Sequence, residues 1–134
     1  MKYGNRTFTN EYGKWDSELE YYRYLVLLDA QKRGIITGLE RQKKFVLIPA
    51  QKETVTECRS TRKEVTVKRK EVVVEQACTY RADFYYLRIA GCGPGNPVIE
   101  DTKGYRTKDY IIKRKLMRYQ GNPIREVKNA SEPV

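Results

Sequence analysis

Apolar residues recur along this chain with two different periods, and the changes of period mark out its elements. Leu19, Tyr22, Val26 and Ala30 form one stripe at helical spacing, widened by Leu25 and Leu28. Asp16 or Ser17 supplies an N-cap, Ser17 with Glu20 fits a capping box, and Gly34 stands where the helix should end. Residues 1 to 15 have no helical period and read as a loop or short strand leading to that helix. After Ile35, Ile36, Leu39 and Gln42 comes Lys44-Phe45-Val46-Leu47-Ile48-Pro49, an apolar run that reads as a buried strand closed by proline. Tyr80 to Tyr86 and the segment from Val98 to Lys103 read as two more strands, joined by a Gly- and Pro-rich stretch that looks like a hairpin connection. Thr107 can cap a second helix over Lys108 to Tyr119, stopped by Gly121 and Pro123, with Ile112, Leu116 and Tyr119 as its buried stripe. Ile124 to Val127 is a short alternation, followed by a frayed polar tail.

Residues 51 to 78 interrupt this order. Lys52-Glu53-Thr54-Val55, Lys63-Glu64-Val65-Thr66-Val67 and Lys70-Glu71-Val72-Val73-Val74 each set a Lys-Glu pair before β-branched residues, which favour extended backbone. A β-hairpin or ribbon is expected there, inserted as a basic arm into a single domain spanning 1–134. Arg59, Arg62, Lys63, Lys68, Arg69 and Lys70 could carry it onto phosphates. The competing explanation is a solvated edge whose lysines discourage aggregation.

Charge and composition narrow the chemistry. The chain has 134 residues, 27 Lys and Arg against 17 Asp and Glu, and a formal charge of +10, which favours a polyanionic partner. It contains no histidine, so Ser-His triads, His-dependent cysteine hydrolases and His-ligated zinc are excluded. Cys58, Cys78 and Cys92 are odd in number and widely spaced, and read as free thiols. No apolar run has membrane-spanning length and the polar start lacks a signal-peptide core, so a soluble, cytoplasmic protein is expected. Any catalysis must use carboxylates, lysines and a hard metal. Asp101 and Lys103 fall on one face of an extended strand, and pairing with the Tyr80–Tyr86 strand can bring Asp83 to the same point. Mg²⁺ prefers such oxygen ligands, and an adjacent ammonium can hold a water. Without Asp83, the Asp-x-Lys pair would read as a surface ion pair.

Asp83 followed by Asp101-Thr102-Lys103 resembles the PD-(D/E)xK nuclease signature. The resemblance extends through Lys2-Tyr3-Gly4-Asn5, Trp15-Asp16-Ser17 with Glu20, Leu39 with Gln42, Tyr80-Arg81-Ala82-Asp83-Phe84, Glu100 to Gly104, Thr107-Lys108 and Lys113-Arg114-Lys115. In this order they are similar to a phage-encoded family of that superfamily, related to Holliday-junction resolvases; residues 51–78 show no match. The resemblance implies an α/β fold with a restriction-endonuclease-like core, a small mixed β-sheet flanked by helices and a protruding basic β arm. It implies a Mg²⁺- or Mn²⁺-dependent hydrolase acting in DNA recombination, an endonuclease that cuts Holliday junctions or other branched DNA, as a homodimer and in the cytoplasm of a bacterial host. Asp83, Asp101 and Glu20 would hold the metal, Lys103 would complete the catalytic set, and Gln42 would assist. Lys108, Lys113, Arg114 and Lys115 would join the arm in binding DNA. Two residues keep a second explanation: Glu20 as capping-box partner only, and Gln42 as a surface glutamine. The alternative function is a non-catalytic nucleic-acid-binding protein on the same scaffold; an adaptor for an anionic membrane surface explains only the charge.

Overall fold

The computed structural model describes residues 7–90, 93–102 and 105–134. The chain divides into two compact units, Val46–Tyr80 and the residues on either side of it, Met1–Phe45 with Arg81–Val134.

In the larger unit, β1 (Phe8–Asn10) and β2 (Gly13–Trp15) form a short antiparallel hairpin. Asn10 closes its turn, since Oδ1 accepts from Tyr12 N and from the indole Nε1 of Trp15, both at 2.9 Å. Helix α1 (Glu18–Lys32) starts at Ser17, whose hydroxyl accepts from Glu20 N at 3.2 Å. It ends as expected at Gly34, whose φ of 78° suits a residue without Cβ. There Gly34 N donates to Gln31 O and Ile35 N to Ala30 O, a Schellman arrangement.

The face that α1 buries is rotated from the expected stripe. Glu20, Arg23, Leu27 and Ala30 are buried, while Tyr22 is 52 % exposed. Reading apolar spacing alone misplaced the face because two of its four buried positions are charged and find their partners elsewhere in the fold.

β3 (Ile36–Ile48), β6 (Cys78–Ala90), β7 (Gly93–Thr102) and β8 (Ile124–Val127) make a sheet in the order β3-β6-β7-β8. β6 and β7 are antiparallel, whereas β7 and β8 are parallel, so the sheet is mixed. Together with two helices this is an α/β arrangement in which strand outweighs helix. Three expectations change here. Lys44 to Ile48 is the end of a much longer strand, and it is not a buried one: Val46 and Ile48 are exposed, Phe45 is half-buried and only Leu47 is buried. Gln42 lies inside that strand rather than before it. The Gly- and Pro-rich stretch is mostly strand, with Leu87 opposite Pro97 and Ile89 opposite Pro94. These prolines are accommodated because β8 pairs only with Ile99 to Thr102, leaving that side of β7 without a ladder to interrupt.

Trp15, Leu27, Ala30, Ile36, Phe84 and Tyr86 form the core, with Phe8, Tyr21, Tyr24, Leu39, Val98 and Val134 packed against it. Helix α2 (Lys108–Tyr119) is capped by Thr107, whose hydroxyl accepts from Tyr110 N at 3.1 Å, and closed by a second Schellman arrangement at Gly121. Its buried positions are Tyr110 and Met117; the expected stripe fails at Ile112 and Tyr119, which are 58 % and 89 % exposed. The chain after β8 is not frayed: Arg23 Nη1 donates to the carbonyl of Ala130 at 3.0 Å and to that of Glu132.

The smaller unit contains the hairpin of β4 (Gln51–Ser60) and β5 (Val65–Glu75). Every residue from 51 to 77 is exposed. Seven Lys and Arg stand against five Glu between residues 46 and 80, so this unit carries only +2 of the chain's +10. Among the described residues, no helix is long and apolar enough to cross a membrane.

Candidate functional site

The site is assembled at the start of α1 from a carboxylate buried by its own helix cap. Glu20 is 2 % exposed. Its Oε2 accepts from Asp16 N at 3.3 Å, so it reaches back over the helix start while Ser17 caps it. Its Oε1 accepts from the side-chain amide of Gln42 at 2.9 Å, and Arg41 Nη2 lies 3.8 Å from the same oxygen. Gln42 is the only non-glycine described residue with a left-handed φ, 53°, in the middle of β3. An L residue is strained there by about 1–2 kcal/mol. Arg41 is fixed from the other side, with its guanidinium 3.5 Å above the Trp15 ring and Nη2 donating to Lys14 O at 3.0 Å. Burial first, and then the charge of Asp83, push the Glu20 carboxyl up to about 7. Glu20 thus accepts a backbone hydrogen bond at the helix start, from Asp16 N, and its carboxyl also feels the charge of Asp83.

Asp83 and Asp101 come from adjacent strands. The β6/β7 ladder runs down to Phe84 opposite Glu100. At its end the Asp83 carboxylate takes over, with Oδ2 accepting from Thr102 N at 2.9 Å and from Thr102 Oγ1 at 2.7 Å. Asp101 is 2 % exposed and lies opposite Glu126 in the parallel ladder to β8. Tyr110 of α2 sits over this pair: burial, then the charges of Asp101 and Glu126, hold its hydroxyl well above the usual tyrosine range. Arg106 neutralises Glu126 through two bonds of 2.7 and 3.0 Å and draws its carboxyl below the usual value.

One residue before Asp101, Glu100 is a structural group. It is fully buried and takes a bidentate hold from Arg23, Nε to Oε1 at 2.8 Å and Nη2 to Oε2 at 2.9 Å. The Tyr86 hydroxyl donates to the same carboxylate, and Arg125 Nη1 lies 3.6 Å from it. This buried cluster ties α1, β6, β7 and the chain after β8 together directly behind the acidic pair.

Of the expected site residues, the structure brings together Glu20, Gln42 and Asp83, and it places Asp101 on the strand beside Asp83. Lys103 lies outside the described residues, as do Cys92 and Lys2 to Asn5. Among the described residues, no group of three or more Asp, Glu or Cys side chains is arranged to hold a metal ion. Asp83 has one oxygen engaged by Thr102, while the all-oxygen character of the set and the mutual repulsion of Glu20 and Asp83 are what a hard divalent cation would relieve. Arg59, Lys68 and Lys70 occupy one face of the β4/β5 hairpin, Arg69 the other, and Arg62 and Lys63 its turn. Glu57 stands directly opposite Lys68. On α2, Lys108 and Lys115 are exposed and Lys113 and Arg114 half-buried. Cys58 and Cys78 are free thiols. Sequence reasoning missed Thr102, Tyr110 and Arg41. Only Thr102 had a signal, as a hydroxyl beside a candidate acid; the other two are placed by tertiary packing.

A family model described as "Protein of unknown function (DUF1064)" matches residues 1–131. The chain belongs to this family. No curated protein and no solved structure matches it.

Proposed function

We propose that this protein is a metal-dependent DNA endonuclease of the PD-(D/E)xK type with a restriction-endonuclease-like core. The observation that carries the reading is the buried Glu20 carboxyl, raised by burial and by Asp83 and held by the strained Gln42 amide. A protein has no stability reason to set carboxylates against one another on a strained support, whereas sites that bind cations and move protons do so regularly. Asp83, Asp101 and Glu20 would hold Mg²⁺ or Mn²⁺. The cation would supply a water of lowered pKa and offset charge developing at phosphorus. Lys103, two residues beyond Asp101, is assigned to orient the attacking water and stabilise the phosphorane. Water adds to phosphorus and the P–O3′ bond breaks, leaving a 5′-phosphate and a 3′-hydroxyl. The net charge of +10 supports a polyanionic substrate, and branched DNA, a Holliday junction in the first instance, is the substrate proposed, cut by a homodimer in a bacterial cytoplasm.

One observation favours the second reading, a nucleic-acid-binding protein without catalysis. The bonds from Thr102 to Asp83 complete the end of the β6/β7 ladder and give this acid a structural task. Cleavage of a labelled four-way junction and of linear duplex, in Mg²⁺, Mn²⁺ or EDTA, separates the two. Metal-dependent nicks lost in Asp101→Ala are expected. Tight binding without cleavage by the native chain would leave the binding protein.

A further inference from the structure

The second half of α2 and the first residues of β8 enclose a cleft of about 190 Å³ lined by Arg114, Lys115, Arg118, Pro123 and Ile124. We infer that this cleft is a phosphate subsite, occupied by the backbone of a nucleic-acid strand. The inference rests on the proposed function only for the identity of the strand; the cleft itself is defined by geometry.

Three observations carry it. First, the three cations converge by helix geometry: Arg114 and Arg118 are one turn apart on the same face of α2, and Lys115 is three residues from Arg118. Second, their charge is not spent within the protein. The side chains of Lys115 and Arg118 form no hydrogen bond or ion pair among the described residues, and Arg114 Nη1 makes one long hydrogen bond, 3.4 Å, to Glu126 Oε1. Glu126 is shared between Arg114 and the bidentate hold of Arg106, so two guanidinium groups face one carboxylate and a positive charge is left over. Third, the cleft is too large for a single water, which occupies about 30 Å³ in the liquid, and Pro123 and Ile124 give it an apolar side. A phosphodiester group offers two non-bridging oxygens, sharing one negative charge, to forked donors, the geometry arginine recognises best.

The position follows from the parallel ladder. Ile124 lies opposite Ile99 and Glu126 opposite Asp101, so the floor of the cleft is two residues along and one strand across from Asp101, roughly 8 Å away. A strand with one phosphate at Asp101 would therefore have a neighbouring phosphate within reach of the cleft. This joins Arg118 to Arg114 and Lys115 in one subsite, unlike the hairpin, where Glu57 stands opposite Lys68.

The test is oligonucleotide binding by the full chain in EDTA, where no cleavage is needed, as a function of salt. Native protein is compared with Lys115→Ala/Arg118→Ala and with Lys32→Ala/Arg33→Ala, which removes the same charge from the end of α1. Removing one to two phosphate contacts should lower the slope of log K against log salt by about 1 to 2 and weaken binding about tenfold near 0.1 M salt. The α1 variant should change the slope far less, and Lys115→Ala/Arg118→Lys, which returns one charge, should recover about half of the lost slope. Inorganic phosphate should compete at millimolar concentration with native protein and not with the double variant, which shows whether free phosphate is accepted. Equal slopes for the two double variants, or no binding of DNA by native protein, would overturn the subsite. If the slope falls as expected while native protein never cuts DNA in either metal, the subsite stands and the nuclease reading fails. If native protein cuts and the slopes are equal, only the subsite fails.

Discussion

The side-chain amide of Gln42 donates to Glu20 Oε1 across 2.9 Å, from a backbone held at φ 53°. This contact fixes the start of α1 to the middle of β3 and aims an acid at the end of β6. Strain and hydrogen bond make opposite demands on the residue at 42, which can be separated. Gln42→Ala loses the bond and keeps the strain, whereas Gln42→Gly loses the bond and relieves it. Thermal or urea unfolding should find the glycine variant more stable than the alanine variant by about 1 kcal/mol. Equal stabilities would show that φ at 42 is not held against its preference.

Glu20 makes stability depend on pH in an unusual direction for a carboxylate. Its folded pKa is about 7 against an ordinary 4.5, so the folded protein binds the proton more tightly than the unfolded chain. Its contribution is fully present below 4.5 and is lost as pH rises to about 7, beyond which it is flat. Denaturation midpoints measured from pH 5 to 8 should fall over that window, by at most on the order of 2–3 kcal/mol. In Glu20→Gln the slope should flatten; an unchanged slope would assign the pH dependence to other groups.

Under the proposed function the same proton competes with the metal. Binding of Mn²⁺ or Mg²⁺ by the native chain, followed by calorimetry, should tighten between pH 6 and 8 and release protons. Glu20→Gln should weaken binding and abolish the pH dependence. Metal binding that is insensitive to both changes would remove Glu20 from the ligand set.

The Arg23–Glu100 pair should be costly to break and cheap to replace. Arg23→Leu alone leaves a buried carboxylate with the Tyr86 hydroxyl and Arg125 as its remaining partners, and should cost about 3–5 kcal/mol in chemical denaturation. Arg23→Leu with Glu100→Leu should recover a large part of that loss. If the double variant is as damaged as the sum of its parts, the pair is not coupled.

The hairpin residues bury nothing of the core, which is drawn entirely from the other unit. Replacing residues 51–77 by a short Gly-Asn turn should therefore leave a cooperative melt within a few degrees of the native chain. Loss of cooperative unfolding would show that the hairpin stabilises the larger unit.

Local signals in the sequence were enough to set the ends of both helices. Ser17, Gly34, Thr107 and Gly121 act through backbone bonds to residues no more than five positions away, so their chemistry is complete within the segment that contains them. The hairpin of residues 51–75 was legible for the same reason, from β-branched residues and a short turn. The tertiary structure alone decided which helix faces are buried. Glu20 and Arg23 look like solvent positions until Gln42, Asp83 and Glu100 arrive from strands 22 to 77 residues away to satisfy them. It also decided that Pro94 and Pro97 are strand residues, since their tolerance depends on where β8 stops pairing. A residue's local propensity is written in its own neighbourhood; whether a charge or a proline can be accommodated depends on partners that only the fold supplies.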